Sequence, residues 1–124
     1  MNWTFNQENN RILVLTYNGE NSAEDIYESS KTIIKTAKDK NIQKYLCDAS
    51  ELLLTAKRAD LFELPNRLYS EWGMEPSSRI AIIQPKDQHA TTLAQFYIYA
   101  TQSLGWFAEL FSNRKKAIEW LNEI

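Results

Sequence analysis

Apolar positions along this chain follow two periods, and the switches between them divide it into alternating strands and helices. Trp3 and Phe5 alternate with polar neighbours up to Glu8-Asn9-Asn10, a turn composition. Arg11 to Tyr17 then carries a stronger strand pattern, so the opening predicts a hairpin ended by Asn18-Gly19. Ser22, followed by Glu24 and Asp25, marks a helix start. Beyond it Ile26, Ser30, Ile33, Ile34 and Ala37 recur at helical spacing, with Glu28, Lys31, Lys35, Lys38 and Asp39 on the other sides, which predicts a helix lying one-sided on a sheet and closed by Lys40-Asn41. Tyr45-Leu46-Cys47 is a buried strand handing over to polar Asp48 and Ser50. After Leu52-Leu53-Leu54, Thr55 is a plausible cap for a helix to Trp72 on which Phe62, Leu68, Tyr69 and Trp72 share related faces. Pro65 interrupts that helix, so a kink or restart is expected near Glu63 to Pro65, and Gly73 and Pro76 end it. Arg79 to Gln84 holds a strand fit to be covered on both faces. Leu93, Phe96, Tyr97, Ala100 and Leu104 form the core face of a helix ended by Gly105. Trp106 to Phe111 is a short strand, and Ser112-Asn113 caps a last helix with Ala117, Trp120 and Leu121 inward.

Composition narrows the class. A chain of 124 residues with 44% apolar content and three each of Gly and Pro suits one folded domain, here 1–124, that buries roughly two-thirds of its unfolded surface. The net charge of −2, with both signs spread along the chain, offers no electrostatic footing for a nucleic acid or an anionic membrane. The lone Cys47 cannot form an internal disulfide, and its strand context predicts an inert thiol in a reducing compartment. The first residues lack the basic and apolar regions of a secretory leader, and no segment approaches ~20 apolar residues, so the expectation is a cytoplasmic, soluble protein with at most peripheral membrane contact.

The element order is strand, strand, helix, strand, helix, strand, helix, strand, helix. It implies an α/β fold with a mainly parallel sheet to which the opening hairpin adds an antiparallel strand. Joined to Leu46-Cys47-Asp48-Ala49-Ser50, this order resembles the STAS domain of anti-sigma-factor antagonists and sulphate-transporter tails, and more narrowly the SpoIIAA-like (STAS/SEC14-type) group of small stand-alone bacterial domains. The resemblance spans nearly the whole chain. It rests on Asp48-Ala49-Ser50, Lys57-Arg58-Ala59-Asp60-Leu61-Phe62-Glu63-Leu64-Pro65, Arg79-Ile80-Ala81-Ile82 and Ala117-Ile118-Glu119-Trp120-Leu121. In the sporulation antagonists Asp-x-Ser is followed by Asp-Ser-Ser-Gly, whose serine is phosphorylated to switch partner binding. The corresponding stretch here reads Ala56-Lys57-Arg58-Ala59, with neither acceptor nor glycine. The resemblance thus implies a non-enzymatic binding or regulatory module without that phosphoswitch, meeting a protein partner or a second copy of itself. Its SEC14-type side implies an alternative, a carrier or sensor of an apolar, lipid-like molecule.

Ligands of open α/β sheets bind outside the carboxyl ends of the strands, which directs attention to Asp48 through Lys57. Asp48 and Ser50 either present a carboxylate and hydroxyl there or make local turn hydrogen bonds. Thr55, Lys57 and Arg58 gather at the expected helix start, as an anion or partner contact or as a cap with two solvated cations. Tyr69, Trp72, Phe96 and Tyr99 are the candidates for an apolar ligand or interface, against a plain core role. Gln88 to Ala108 holds no Lys, Arg, Asp or Glu, which suits a homodimer surface or a pocket wall. His89 beside Asp87 has no nucleophile placed near it, one His and one Cys lack metal-ligand spacing, and no glycine-rich phosphate loop is present. No catalytic centre, cofactor or metal is expected.

Overall fold

The computed structural model describes residues 2–9 and 11–123. Five strands, β1 (Trp3–Glu8), β2 (Ile12–Asn21), β3 (Lys44–Leu54), β4 (Arg79–Ile83) and β5 (Phe107–Phe111), form one sheet in sequential order. β1 is antiparallel to β2 and every other pairing is parallel. Asn10, the last residue of the expected hairpin turn, lies outside the described residues; Asn9 before it takes the left-handed conformation asparagine tolerates, φ 56°.

Register sorts the side chains. Leu13, Tyr45, Ile80 and Ala108 stand in one row across the sheet, and Leu15, Cys47, Ile82 and Leu110 in the next. Crossovers of one hand between strands in sequential order land on one face. Accordingly α1 (Ala23–Lys40), the helical segment after β3, and α4 (Gln88–Ser103) share the large core with these rows. The opposite face, with Ile12, Val14, Leu46, Ala81 and Ile83, is covered by α5 (Arg114–Leu121) through Ala117 and Leu121.

Helix starts follow the expected chemistry. Ser22 Oγ accepts from Asp25 N–H (3.2 Å) while Asp25 accepts from Ser22 N–H (2.9 Å), a reciprocal capping box. Asp87 accepts from Ala90 N–H and Asn113 from Lys116 N–H, each at 2.9 Å. Pro65 does interrupt its helix, in a specific form. α2 (Arg58–Glu63) passes into one π-helical turn over Leu64–Leu68 before α3 (Tyr69–Glu71), and the Tyr69 N–H reaches back to the Leu64 carbonyl. The Pro65 carbonyl accepts from Trp106 Nε1 (2.9 Å), which ties the widened turn to the start of β5. Gly73, at φ 85°, ends the segment in the left-handed region glycine favours.

Three boundaries differ from the sequence expectation. β3 does not end at Ser50 but continues to Leu54, and β2 runs past Asn18-Gly19 to Asn21. Thr16 pairs with Asp48 and Asn18 with Glu51, so Ala49 and Ser50 together oppose Tyr17 alone, a β-bulge. The extra residue reverses the alternation: Tyr45, Cys47 and Ala49 face the large core before it, Leu52 and Leu54 after it, while Leu53 is 48% exposed. Thr55 is not the helix cap. Its N–H donates to the Asn21 carbonyl (3.0 Å), and the N-cap is Lys57, whose backbone N–H is held by Asp60 (2.9 Å). On α4 the buried face is Ala90, Thr91, Leu93, Tyr97, Ala100 and Thr101. Phe96 is half-buried and Leu104 is exposed, in place of their expected core positions. Trp120 is also only half-buried, lying beneath the Arg79 guanidinium at 4.8 Å.

Candidate functional site

Between the sheet and the layer made by α1, the broken α2–α3 segment and α4 lies a cavity of about 100 Å³. Its walls are overwhelmingly apolar, contributed by residues such as Ile33, Leu54, Leu64, Met74, Ile82 and Ala94. Small side chains leave the space: Ala49 follows Cys47 on β3, and Ala90 and Ala94 lie one turn apart on the core face of α4, where Leu-sized residues would meet the sheet. Protein interiors leave few voids larger than a water molecule. At about 24 cal/mol per Å³, an empty cavity of 100 Å³ costs roughly 2 kcal/mol relative to a filled one. Cys47 registers this space: at the centre of the sheet it is only half-buried, because the cavity opens against it.

The polar groups in the walls are phenols, a serine and the thiol. Tyr69 and Tyr97 hydroxyls pair at 2.5 Å, and Tyr17 pairs with Ser29 Oγ at 2.5 Å. Ser29 donates its own hydrogen to the Ile26 carbonyl (3.0 Å), so in that pair Tyr17 is the donor. Burial pushes the phenols and the thiol up. Desolvation raises Tyr97 to about 12, partly offset by Tyr69 and Thr101, and Cys47 to about 12, with Asp48 adding to the effect. Tyr17 and Tyr69 are raised as well, first by desolvation, with Cys47 adding most to Tyr17 and Tyr97 most to Tyr69. All four are neutral at physiological pH, and no Lys, Arg, His, Asp or Glu is among the wall residues.

The residues singled out from sequence fall into separate places. Asp48 and Ser50 sit at the bulge, where Asp48 Oδ1 accepts from both Ser50 N–H (3.0 Å) and Ser50 Oγ (2.7 Å); the local turn reading describes what they do. Lys57 and Arg58 are exposed at the start of α2, and the Arg58 guanidinium lies 5.6 Å from the Phe96 ring. Tyr69 lines the cavity. Trp72 is half-buried against the same core without lining it, and Tyr99 is 72% exposed. His89 is exposed and outside the cavity wall. Among the described residues no three His, Cys, Asp or Glu side chains converge as a metal site, and no helix is long and apolar enough to cross a membrane. Sequence reasoning passed over Tyr17 and Ala94; the available sign was the spacing of Ala90, Ala94 and Tyr97, which sets small residues and a phenol on one helical face.

No family model matches the chain, and no curated protein matches it. Solved structures do. The unphosphorylated anti-sigma-factor antagonist SpoIIAA aligns over 98% of this chain and 99% of its own, with a TM-score of 0.62 at 13% identity. An uncharacterised protein of the DUF3478 family with a SpoIIAA-like fold, from Shewanella loihica PV-4, aligns over 96% of this chain and 91% of its own, with a TM-score of 0.60 at 19% identity. At these identities the likeness speaks for architecture alone, and together with the five-stranded mixed sheet it shows that the chain has the SpoIIAA-like STAS fold.

Proposed function

We propose that this chain is a non-enzymatic binding module whose ligand is a compact, largely apolar molecule held between the sheet and α1, α2 and α4. The cavity carries this reading: about 100 Å³ with apolar walls, at a cost of roughly 2 kcal/mol when empty, is a feature that occupancy would repay. An apolar cavity of ~150 Å³ elsewhere takes up benzene or xenon, so the volume here suits a small ring or a short branched chain. The test is titration with xenon and with benzene, followed by amide chemical shifts. Shifts confined to the cavity walls are expected, and Ala94→Leu, which fills the space from α4, should remove them. Wild-type protein that takes up neither probe would end the reading.

A second reading, a protein partner, draws on the α2–α4 surface. Arg58 lies over Phe96; Phe62, one turn along α2 from Arg58, is 37% exposed, and Tyr99, one turn along α4 from Phe96, is 72% exposed. This combination of arginine and aromatic side chains is enriched at interfaces. Reversing charge at Lys57 and Arg58 together with Tyr99→Asp should release any protein that co-purifies; an unchanged co-purifying set would remove this surface from consideration. The SpoIIAA neighbour is an anti-sigma-factor antagonist, which supports a protein-binding role only through shared architecture.

A further inference from the structure

We infer that the cavity selects an uncharged ligand bearing one hydrogen-bonding group, a hydroxyl or carbonyl, which the Tyr69–Tyr97 pair receives; this rests on the ligand-binding reading above.

The inference comes from counting hydrogens. Each phenol has one hydrogen to give and lone pairs to accept with. Tyr17 is committed, since Ser29 has spent its own hydrogen on the Ile26 carbonyl. In the Tyr69–Tyr97 pair, whichever hydroxyl donates, the other keeps its hydrogen, and among the described residues no second hydrogen bond of normal geometry takes it up. Thr101, one turn beyond Tyr97 and fully buried, lies close enough to hold the Tyr97 pKa down, yet its Oγ1 makes no hydrogen bond of normal geometry, so the pair has no well-formed acceptor there. A phenolic hydrogen is therefore left over at a pair whose two residues both line the cavity. A buried donor without an acceptor is costly, and a ligand oxygen would satisfy it.

Charge is excluded by the same walls. A carboxylate or ammonium placed here would lose its hydration and find no countercharge, because the polar lining consists of tyrosines, Ser30 and Cys47. The phenols and the thiol resist ionising to supply one, since burial raises all of them. A fatty acid or an organic cation is thus the wrong class; an alcohol, phenol, ketone or similar neutral molecule is the right one.

The experiment compares benzene, phenol and benzoate on intact protein at neutral pH, alongside Tyr69→Phe/Tyr97→Phe, which removes both hydroxyls without changing ring shape. A wholly apolar cavity excludes phenol, so phenol binding within about tenfold of benzene is itself expected only if a partner is present. The double variant should lower phenol affinity about tenfold while leaving benzene unchanged, and benzoate should bind at least about a hundredfold more weakly than phenol. Failure of benzene and xenon in the wild type overturns the cavity reading and this one with it. Uptake of benzene with phenol excluded, with benzoate as tight as phenol, or with both benzene and phenol equally weakened by the variant overturns the ligand class and leaves the cavity standing.

Discussion

Removing one hydroxyl of the Tyr69–Tyr97 pair should cost more than removing both. The two oxygens are 2.5 Å apart in the buried core, and Tyr69 is 5% and Tyr97 6% exposed. Tyr97→Phe leaves the Tyr69 hydroxyl without its partner, and an unsatisfied buried hydroxyl costs about 1–3 kcal/mol; the reverse substitution does the same to Tyr97. Replacing both by phenylalanine removes the polar groups together and keeps the packing, including the edge-on contact of Tyr69 with Trp106 at 5.7 Å. That change should cost no more than about 1 kcal/mol. The cycle therefore predicts a coupling of about 3 kcal/mol, well beyond the ~0.5 kcal/mol within which independent sites add. Urea unfolding of the four proteins measures it. With a slope of about 1–3 kcal/mol per molar urea, each single variant should shift the midpoint by roughly 1 M at unchanged slope. Two single effects that simply add in the double variant would refute the account, because they would mean that water enters the cavity freely enough to satisfy whichever hydroxyl remains.

Two further outcomes follow from the same core. Tyr17, Tyr45, Tyr69 and Tyr97 all have raised folded-state pKa values through desolvation, so their contribution to stability is fully present below the ordinary phenol value and is lost as pH rises towards the folded values. Above about pH 10 the unfolded chain ionises first, and four such groups should lower stability by about 5 kcal/mol per pH unit, with Cys47 contributing from about pH 9. Urea midpoints measured from pH 8 to 11.5 check this, and a flat profile across that range would contradict it. Trp106→Phe removes the donor to the Pro65 carbonyl and should destabilise by about 1–2 kcal/mol, with faster amide exchange confined to Leu64–Leu68. Uniform exchange across the chain would show that the indole does not hold the widened turn.

Periodicity carried most of the architecture, since element order depends on which residues face the core and the two periods report that directly. It placed Tyr97 inward and Tyr99 on a flank of the same helix, as the structure has them. It failed where a single residue breaks the count. The bulge at Ala49-Ser50 reverses the parity of β3, so Leu52-Leu53-Leu54 looks like a linker in sequence although it continues the strand. The cap of α2 was misplaced for a related reason: Thr55 has the right chemistry but is claimed by the Asn21 carbonyl across the sheet, a contact 34 residues distant in sequence. The cavity was less legible still. Hydrophobic pattern says which way Ala49, Ala90 and Ala94 point, whereas a void depends on what stands opposite them, and that is set by the pairing of distant elements.

One topological rule accounts for both faces of the molecule. Because the strands lie in sequential order, each crossover of common hand adds a helix to the same side, and three helical segments must share the sheet surface there. The middle segment is the irregular one, α2 and α3 joined by a π turn at Pro65, and it spans the gap between α1 and α4. An unbroken helix could settle along its whole length into the rows of Leu15, Cys47 and Ile82. The widened turn instead takes its anchor sideways, from Trp106 at the start of β5, and the small residues beneath leave their space unfilled. The opposite side receives only α5, which covers Ile12, Val14, Leu46, Ala81 and Ile83 with one short apolar face. A void in a core of otherwise ordinary side chains thus lies where the broken segment meets Ala49 of β3 and Ala90 and Ala94 of α4.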